Sequence, residues 1–565
     1  MTVGIVGSGP AAEAAEAALG DVDVQTERRD ATDLASLDLA VVVGQVGDAV
    51  FEQANAQALD AGVQWVAVEL GGVGGIPIVD AAVAGFGPET GCYECLSGRV
   101  NANLDPQAEP AAAPHAHTSR FAGAVAGREA VRTIEADADI FGRVVVVPFN
   151  ERQFLPLPNC TCDPGRDREL RYGHSERELD DSLARAEHGL DDMLGIVQEV
   201  GEAQSFPVPY YLARSCDTAG FSDVSAARDA AGVAPDWDSS FMKALGEGME
   251  RYCAGVYRVD DFETGTPDEV ANTVKPEAFV CRTEPEGEAI EWVPGENLET
   301  GRDVMLPAEF VHFPPPSRRY RPAITTGLGL GNSGVEALLS GLYEVIERDA
   351  AMLSWYSTFD PLELTIEDHV FRTMAERARS ENLSVTPLLL TQDVDVPVVA
   401  VAVHRDTWPR FALGSDAALN VQGAARSALA EALQNWMELD GMGQEDATEA
   451  LGEIGQYATF PDTAQAFIEA ETTLPADSVG PDDIPRGKKE LSELVDRVTA
   501  TDLNAYAART TTRDVDQLGF EAVRVVLPSA QPMCFGTEYF GERAKTVPND
   551  LGFEPVLSHD HHPFP

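Results

Sequence analysis

Apolar residues recur along this chain with two distinct periods. Near the start they form short runs broken by glycine and acidic residues. VGIVGSGPAAEAAEAAL reads as strand, glycine turn and helix, and DVDVQTE, LDLAVVVGQ and VQWVAVELGG read as further strands. Strands alternating with helical segments predict an α/β unit with a mainly parallel sheet over residues 1–165. Beyond it, residues 166–205 are charged with few breakers, which predicts a helical linker that leads into a second domain over 206–565. Within that domain the apolar period is helical over 242–255, 334–350 and 426–439. The stretch from about 440 to 515 is acidic and alternates helix with breakers, so it is expected to be a peripheral insertion. The fold class expected is α/β followed by α+β.

The polar positions of the three helices carry the chemistry. In TTGLGLGNSGVEALLSGLYEVIERDA a glycine-rich turn runs into a helix bearing Glu336, Glu344 and Glu347. At 100° per residue these three fall within roughly an 80° arc. Stacked like charges repel, so such a face is either wet or neutralised. A divalent ion that also carries phosphate is a fitting neutraliser. Glu336 also completes a capping box with Ser333. MKALGEGMERYCAG places Glu247, Glu250 and Arg251 together, and RSALAEALQNWMEL aligns Ser427, Glu431, Gln434 and Glu438 on one face. Random acidity would not be expected to repeat that stripe on three separate helices.

Composition narrows the function classes. The 565 residues include 94 acidic and 40 basic side chains, a net charge of −54. That balance excludes nucleic-acid binding through a basic face. The acidic residues are spread between apolar segments rather than gathered in a tail, the pattern of a protein adapted to a high-salt cytosol. The opening MTVGIVG is a strand rather than a signal peptide, and no run approaches 18 apolar residues, so a cytoplasmic setting away from membranes is expected. The eight cysteines are then thiols or metal ligands. Gly7-x-Gly9-x-x-Ala12 fits a nucleotide-binding turn but fits equally a tight turn with close helix-to-strand packing, and the latter is preferred.

GLGLGNSGVEALLSGLYEVIERDA resembles the signature of the YcaO family, its Ser-x3-Glu-x2-Glu-Arg pattern met by Ser340, Glu344, Glu347 and Arg348. ALGEGMERYCAGVY resembles the family's earlier glutamate helix, SALAEALQNWMEL its later one, and WVPGENLETGRDVMLPAEFVHF the lead-in to the glycine turn. The resemblance spans roughly residues 178–565. It implies ATP-dependent activation of a peptide backbone amide: a nucleophile attacks the carbonyl, ATP phosphorylates the oxyanion, and phosphate leaves. It further implies that Glu247, Glu250, Glu336, Glu344 and Glu347 hold Mg2+. Asn332, Ser340, Arg348 and Arg251 would contact the nucleotide, and Glu431, Gln434 and Glu438 would line the nucleotide pocket or the substrate side; for Arg251 a structural salt bridge is an equal alternative. Ser182 matches a family serine only loosely, Arg426 is one position from where many relatives carry an arginine, and Lys243 stands where relatives often carry Ser.

GIPIVDAAVAGFGPETGCYECLSGR resembles the end of the ThiF-like, Rossmann-like adenylating fold. Proteins of that fold often carry a zinc tetrathiolate, for which Cys92, Cys95, Cys160 and Cys162 are the expected structural Zn2+ ligands. The residues of an active adenylating enzyme are not evident, so this half is expected to dock a leader peptide. The chain ends HDHHPFP. Azoline-forming members of the family share a proline-rich tail whose terminal carboxylate reaches the active site, which makes Pro565 the candidate base; His559, His561 and His562 could instead bind a metal or be a solvated tail. The combination resembles a fused, SagD-like cyclodehydratase of haloarchaeal type, with a ribosomally made precursor peptide as substrate, a dehydrogenase among its maturation partners, and a homodimer as the common assembly. Thioamide formation and a non-catalytic docking scaffold are the alternatives.

Overall fold

The computed structural model describes residues 1–565 except 106, 108, 109, 112, 113, 137–139, 163, 164, 451 and 482; side chains at 448–450 and 452–454 are likewise outside the described set. The first sheet has seven strands, β1 (Thr2–Val6), β2 (Gln25–Arg28), β3 (Leu39–Gln45), β4 (Gln64–Leu70), β5 (Ala81–Phe86), β6 (Arg143–Val146) and β7 (Asn150–Gln153), in the order 2-1-3-4-5-6-7. Both faces of β3 and β4 are covered, which is why they read as continuous apolar runs. Val41, Val43, Val66 and Val68 pack toward Pro10–Leu19 and Ala116–Ile134, and Ala40, Val42, Trp65 and Ala67 toward Phe51 and Tyr93. The helices Pro10–Leu19 and Ala116–Ile134 touch backbone to backbone: a Cβ at Gly123 would lie 2.0 Å from the Ala11 carbonyl oxygen. Gly7 does the same beneath the turn, with φ +94° and a Cβ position 2.3 Å from the Val43 oxygen, so its role is close packing.

The sheet is half parallel rather than mainly parallel. β1–β2, β1–β3 and β3–β4 run parallel; β4–β5, β5–β6 and β6–β7 run antiparallel. The link from β4 to β5 is a loop with Gly71, Gly74 and Gly75 at positive φ, and it holds no helix to carry a parallel crossover.

The remainder builds three antiparallel-rich layers around three long helices. A three-stranded sheet (Val197–Gln204, Tyr210–Ser215, Asp229–Val233) supports α1 (Trp237–Gly255). A six-stranded sheet includes Leu328–Gly331 and Glu521–Val526, and a five-stranded sheet includes Val398–His404 and Phe411–Ala417. Between these two sheets lies α2 (Gly334–Trp355), in a core that joins Val335, Leu338 and Leu342 to Val398, Ala400, Leu413, Val523 and Val525. The five-stranded sheet also carries α3 (Val421–Met442) on its other face.

Two segment readings change. Residues 165–205 hold one short α-helix, Leu179–Ala186, and end in the strand Val197–Gln204; the charge run there reflects exposed turns more than helix. The stretch 440–515 is not all peripheral. Leu491, Leu494 and Val495 of the helix Lys488–Thr499 enter the α2 core, and Tyr506–Arg509 is a strand of the six-stranded sheet. Among the described residues no helix is long and apolar enough to cross a membrane.

Candidate functional site

Each of the three helices starts or packs in a way that aims its carboxylates inward. Asp236, Ser333 and Asn420 cap α1, α2 and α3, each accepting a backbone N–H three residues on. At α2 the expected box is only half made. Ser333 Oγ accepts the Glu336 N–H at 3.4 Å, but the Glu336 carboxylate accepts the N–H of Asn332, at 2.8 Å, one residue earlier than a box requires. The glycine strand then presents the Gly327 N–H to Glu344 Oε2 at 2.8 Å.

The helices converge on a cavity of about 490 Å³. Glu247, Arg251, Glu344, Glu347, Arg348, Ser427, Glu431, Gln434 and Pro565 line it. Glu247 accepts the Ala231 N–H at 2.7 Å and pairs with Arg251, which donates to the Asp229 carbonyl at 2.6 Å. Glu347, only 4% exposed, accepts Ser415 Oγ at 2.6 Å. Arg348 lies 3.4 Å from Glu347 and 3.8 Å from Glu431. Glu431 accepts the Ser415 N–H at 2.6 Å. So much buried negative charge raises proton affinity. Burial pushes the Glu431 carboxyl up to about 7, and burial with the nearby Glu344 and Glu247 pushes Glu250 up to about 8. Glu247 and Glu347 are raised by burial too.

Five expected residues lie outside this lining. Glu250 and Glu336 are half-buried and do not line it, and Ser340 is exposed on the α2 stripe, one turn before Glu344. Glu438 accepts Gln434 Nε2 at 3.0 Å and the Tyr210 hydroxyl at 2.6 Å. Asn332 is turned by two partners: its Oδ1 accepts Ser182 Oγ at 2.8 Å and an Arg185 N–H. Arginine only donates, so the amide oxygen must face it and the Asn332 NH2 points the other way. Arg426 pairs with Asp368 at 3.0 Å and takes no part in the cavity.

Sequence reasoning missed Ser415 and Asp416, which enter the cavity from the strand Phe411–Ala417. Burial, with Glu347 and Glu431 nearby, pushes the Asp416 carboxyl up to about 8. The only signal was a polar pair interrupting a buried strand. Met533 and Phe535 were also missed; both lie in a loop without periodicity.

The tail is strapped down along its length. Trp355 Nε1 donates to the Asp560 carbonyl at 2.7 Å, the Tyr457 hydroxyl to that of His561 at 2.5 Å, and His562 Nε2 to that of Cys534 at 2.8 Å. Phe564 is fully buried, and the backbone oxygen of Pro565 accepts from Arg348 at 2.8 Å. Burial pushes the His562 imidazole down to about 3. His561 and His562 stack with ring centroids 4.4 Å apart, but His559 packs against Trp355 and His561 lies 3.2 Å from Glu538, and among the described residues the three do not form a ligand set.

Cys92, Cys95, Cys160 and Cys162 do form one. Their sulfurs all lie within 4.8 Å of one another, with 3.6 Å for Cys92–Cys160 and 3.4 Å for Cys95–Cys162. A tetrahedral ion with Zn–S about 2.3 Å sets sulfurs about 3.8 Å apart, so the donor set fits zinc. Among the described residues no cluster of carboxylates closes in this way.

A model of the family YcaO cyclodehydratase, ATP- and Mg2+-binding, matches residues 231–531. An uncharacterized protein of Methanothermobacter thermautotrophicus (strain Delta H) is 28% identical over 319 residues, 54% of this chain and 82% of its own. A heterocyclase solved in complex with substrate and cofactor superposes with a TM-score of 0.74 at 20% identity, covering 98% of this chain and 83% of that one. YcaO from Methanopyrus kandleri, bound with AMPPCP and Mg2+, gives 0.50 at 23% identity over 63% of this chain and 91% of its own.

Proposed function

This chain belongs to the YcaO family of ATP- and Mg2+-binding cyclodehydratases, and from that premise we propose that it forms thiazoline or oxazoline rings from Cys, Ser or Thr in a ribosomally made peptide. The observation that carries the reading is the convergence of Glu247, Glu344, Glu347, Arg348 and Glu431 on one cavity that Pro565 also reaches. With Asp416, these glutamates put five side-chain carboxylates around one space, which is unfavourable until cations and a polyanion enter together.

In this reading Glu247, Glu250, Glu336, Glu344 and Glu347 hold Mg2+, which when bound neutralises the triphosphate and draws charge from the transferred phosphoryl group. Arg348, held by Glu347, Glu431 and the Pro565 oxygen, turns its remaining N–H groups to phosphate. Asn332 donates to a phosphate oxygen, since its own oxygen is taken by Ser182 and Arg185. Ser340, exposed on the same stripe, meets the nucleotide from the solvent side, and Arg251 stays with Glu247 as its counter-charge. Glu431 and Gln434 line the wall where the peptide amide is presented. Pro565, whose oxygen Arg348 holds, accepts in this reading the proton lost when the side-chain nucleophile attacks. Residues 1–165 serve to dock the leader segment of the peptide, and a zinc-bound cysteine set fastens them to the catalytic half.

Calorimetric titration of Mg-ATP into the purified protein in concentrated KCl, beside Glu347→Gln, tests the reading. Binding that the substitution abolishes is expected. No binding by the unsubstituted protein would overturn the catalytic assignment and leave a docking role.

A further inference from the structure

Three cations line the cavity: Lys243, Arg251 and Arg348. Two are committed. Arg251 is held between Glu247 and the Asp229 carbonyl. Arg348 is held by Glu347, Glu431 and the Pro565 oxygen. Lys243 is different. Its side chain is exposed to the cavity and, among the described residues, its ammonium has neither an ion-pair nor a hydrogen-bond partner. It stands one helical turn before Glu247 on α1, about 6 Å along the axis. It faces the carboxyls of Asp416 and Glu431, on which its charge acts without contact. A lysine ringed by carboxylates yet paired with none is a cation held in reserve.

The side-chain chemistry suits a moving target. An ammonium on a four-carbon stem is a compact point charge with three rotatable donors, able to follow an anion that shifts by a bond length. The guanidinium of Arg348, fixed by three partners, cannot do this. We propose that Lys243 contacts the γ-phosphoryl oxygens of the bound nucleotide and stays with that group as it moves to the peptide. This rests on the nucleotide reading above. In the step, the Pγ–O bond to the β-phosphate breaks and its electron pair stays on ADP. A bond forms from the amide-derived oxyanion to Pγ. Lys243 forms and breaks no covalent bond and keeps its proton; it supplies charge where negative charge is in transit.

The test compares Mg-AMPPCP, which carries a γ-phosphoryl group, with Mg-ADP, which does not. Both are titrated calorimetrically into the full chain, into Lys243→Met, which keeps the stem and removes the charge, and into Lys243→Arg. Expected is a loss of about 10- to 100-fold in Mg-AMPPCP affinity for Lys243→Met, the scale of one charge-assisted hydrogen bond. Mg-ADP affinity should stay within about threefold, and Lys243→Arg should recover most of the loss. Thermal melting should be unchanged, because the residue is exposed and unpaired. Equal weakening of both nucleotides, or no change in either, would overturn the assignment. Failure of the unsubstituted protein to bind either nucleotide would overturn the nucleotide site itself, a different result from any of these.

Discussion

Arg348 and Pro565 are 217 residues apart in sequence, yet Arg348 Nη1 donates to the Pro565 backbone oxygen at 2.8 Å. The same guanidinium sits between Glu347 and Glu431. The position of the tail is thus tied to the helices that form the cavity. Phe564, one residue earlier, is the anchor: it is fully buried in the α2 core.

The two tail residues should separate stability from turnover. Phe564→Ala removes a buried ring and should cost about 3–5 kcal/mol in urea unfolding. Deleting Pro565 alone removes no core atom and should leave unfolding almost unchanged. It should lower ADP release on a peptide substrate by about 100-fold or more, the scale of a lost positioned base, with Mg-ATP affinity retained. Retained turnover after the deletion would remove Pro565 from the chemistry.

A second long-range pair fastens the two halves. Arg99, on the helix Tyr93–Ala102, is fully buried and paired with Asp514, which is also fully buried. The Tyr252 hydroxyl donates to the same carboxylate at 2.7 Å, and Arg99 also donates to the Pro156 carbonyl at 3.1 Å. Arg99→Met strands a buried carboxylate and should destabilise by about 3–5 kcal/mol. Arg99→Met with Asp514→Leu should recover much of that loss, because no charge is then left without its partner. Urea unfolding of the single and double variants measures both values. Additive losses in the double variant would show that the pair is not the source.

Glu69 gives the first half its own pH dependence. It lies on β4, 2% exposed, accepting the Gly75 N–H at 2.7 Å and the Tyr93 hydroxyl at 3.3 Å. Burial pushes its carboxyl up to about 7 from an ordinary 4.5. The folded value lies above the unfolded one, so the folded state holds the proton more tightly. The stability this contributes is complete below about pH 4.5 and is lost as pH rises through about 7. The shift corresponds to about 3 kcal/mol. Glu69→Gln, which stays neutral, should therefore be more stable than the parent at pH 8.5 by about that amount and nearly equal to it at pH 4.5. An equal effect of the substitution at both pH values would show that Glu69 titrates normally.

How much of this was legible in the sequence follows from where each group sits. The glutamate stripes lie on amphipathic helices, whose period is visible locally, and each helix sends part of its stripe to the cavity, as Glu247, Glu344 with Glu347, and Glu431. The cysteine pairs were visible because close thiols in one chain imply a shared ion. Ser415 and Asp416 were not, because they belong to a strand buried on both faces, where one polar pair carries no period. Ser340 shows the opposite limit: it is on the right stripe, but the stripe is longer than the cavity. The free state of Lys243 was invisible for another reason. Sequence gives a charge, and only the fold says which of its neighbours have already been claimed.

The cysteine set separates a structural ion from the catalytic ones. Cys92 and Cys95 flank the start of the helix Tyr93–Ala102, which also carries Arg99, while Cys160 and Cys162 lie on the segment that leaves the first half. An ion held there fastens the same junction as the Arg99–Asp514 pair, and none of its ligands lines the cavity. Elemental analysis should find about one zinc per chain. Cys95→Ser should lower that content and the melting temperature together, because metal that binds only the folded state adds its binding free energy to stability. At a temperature where the variant is still folded, its affinity for Mg-AMPPCP should match that of the parent. A variant that loses zinc and melts unchanged would show that the four thiols need no ion. One that keeps its fold and loses nucleotide binding would show that the junction sets the geometry of the cavity.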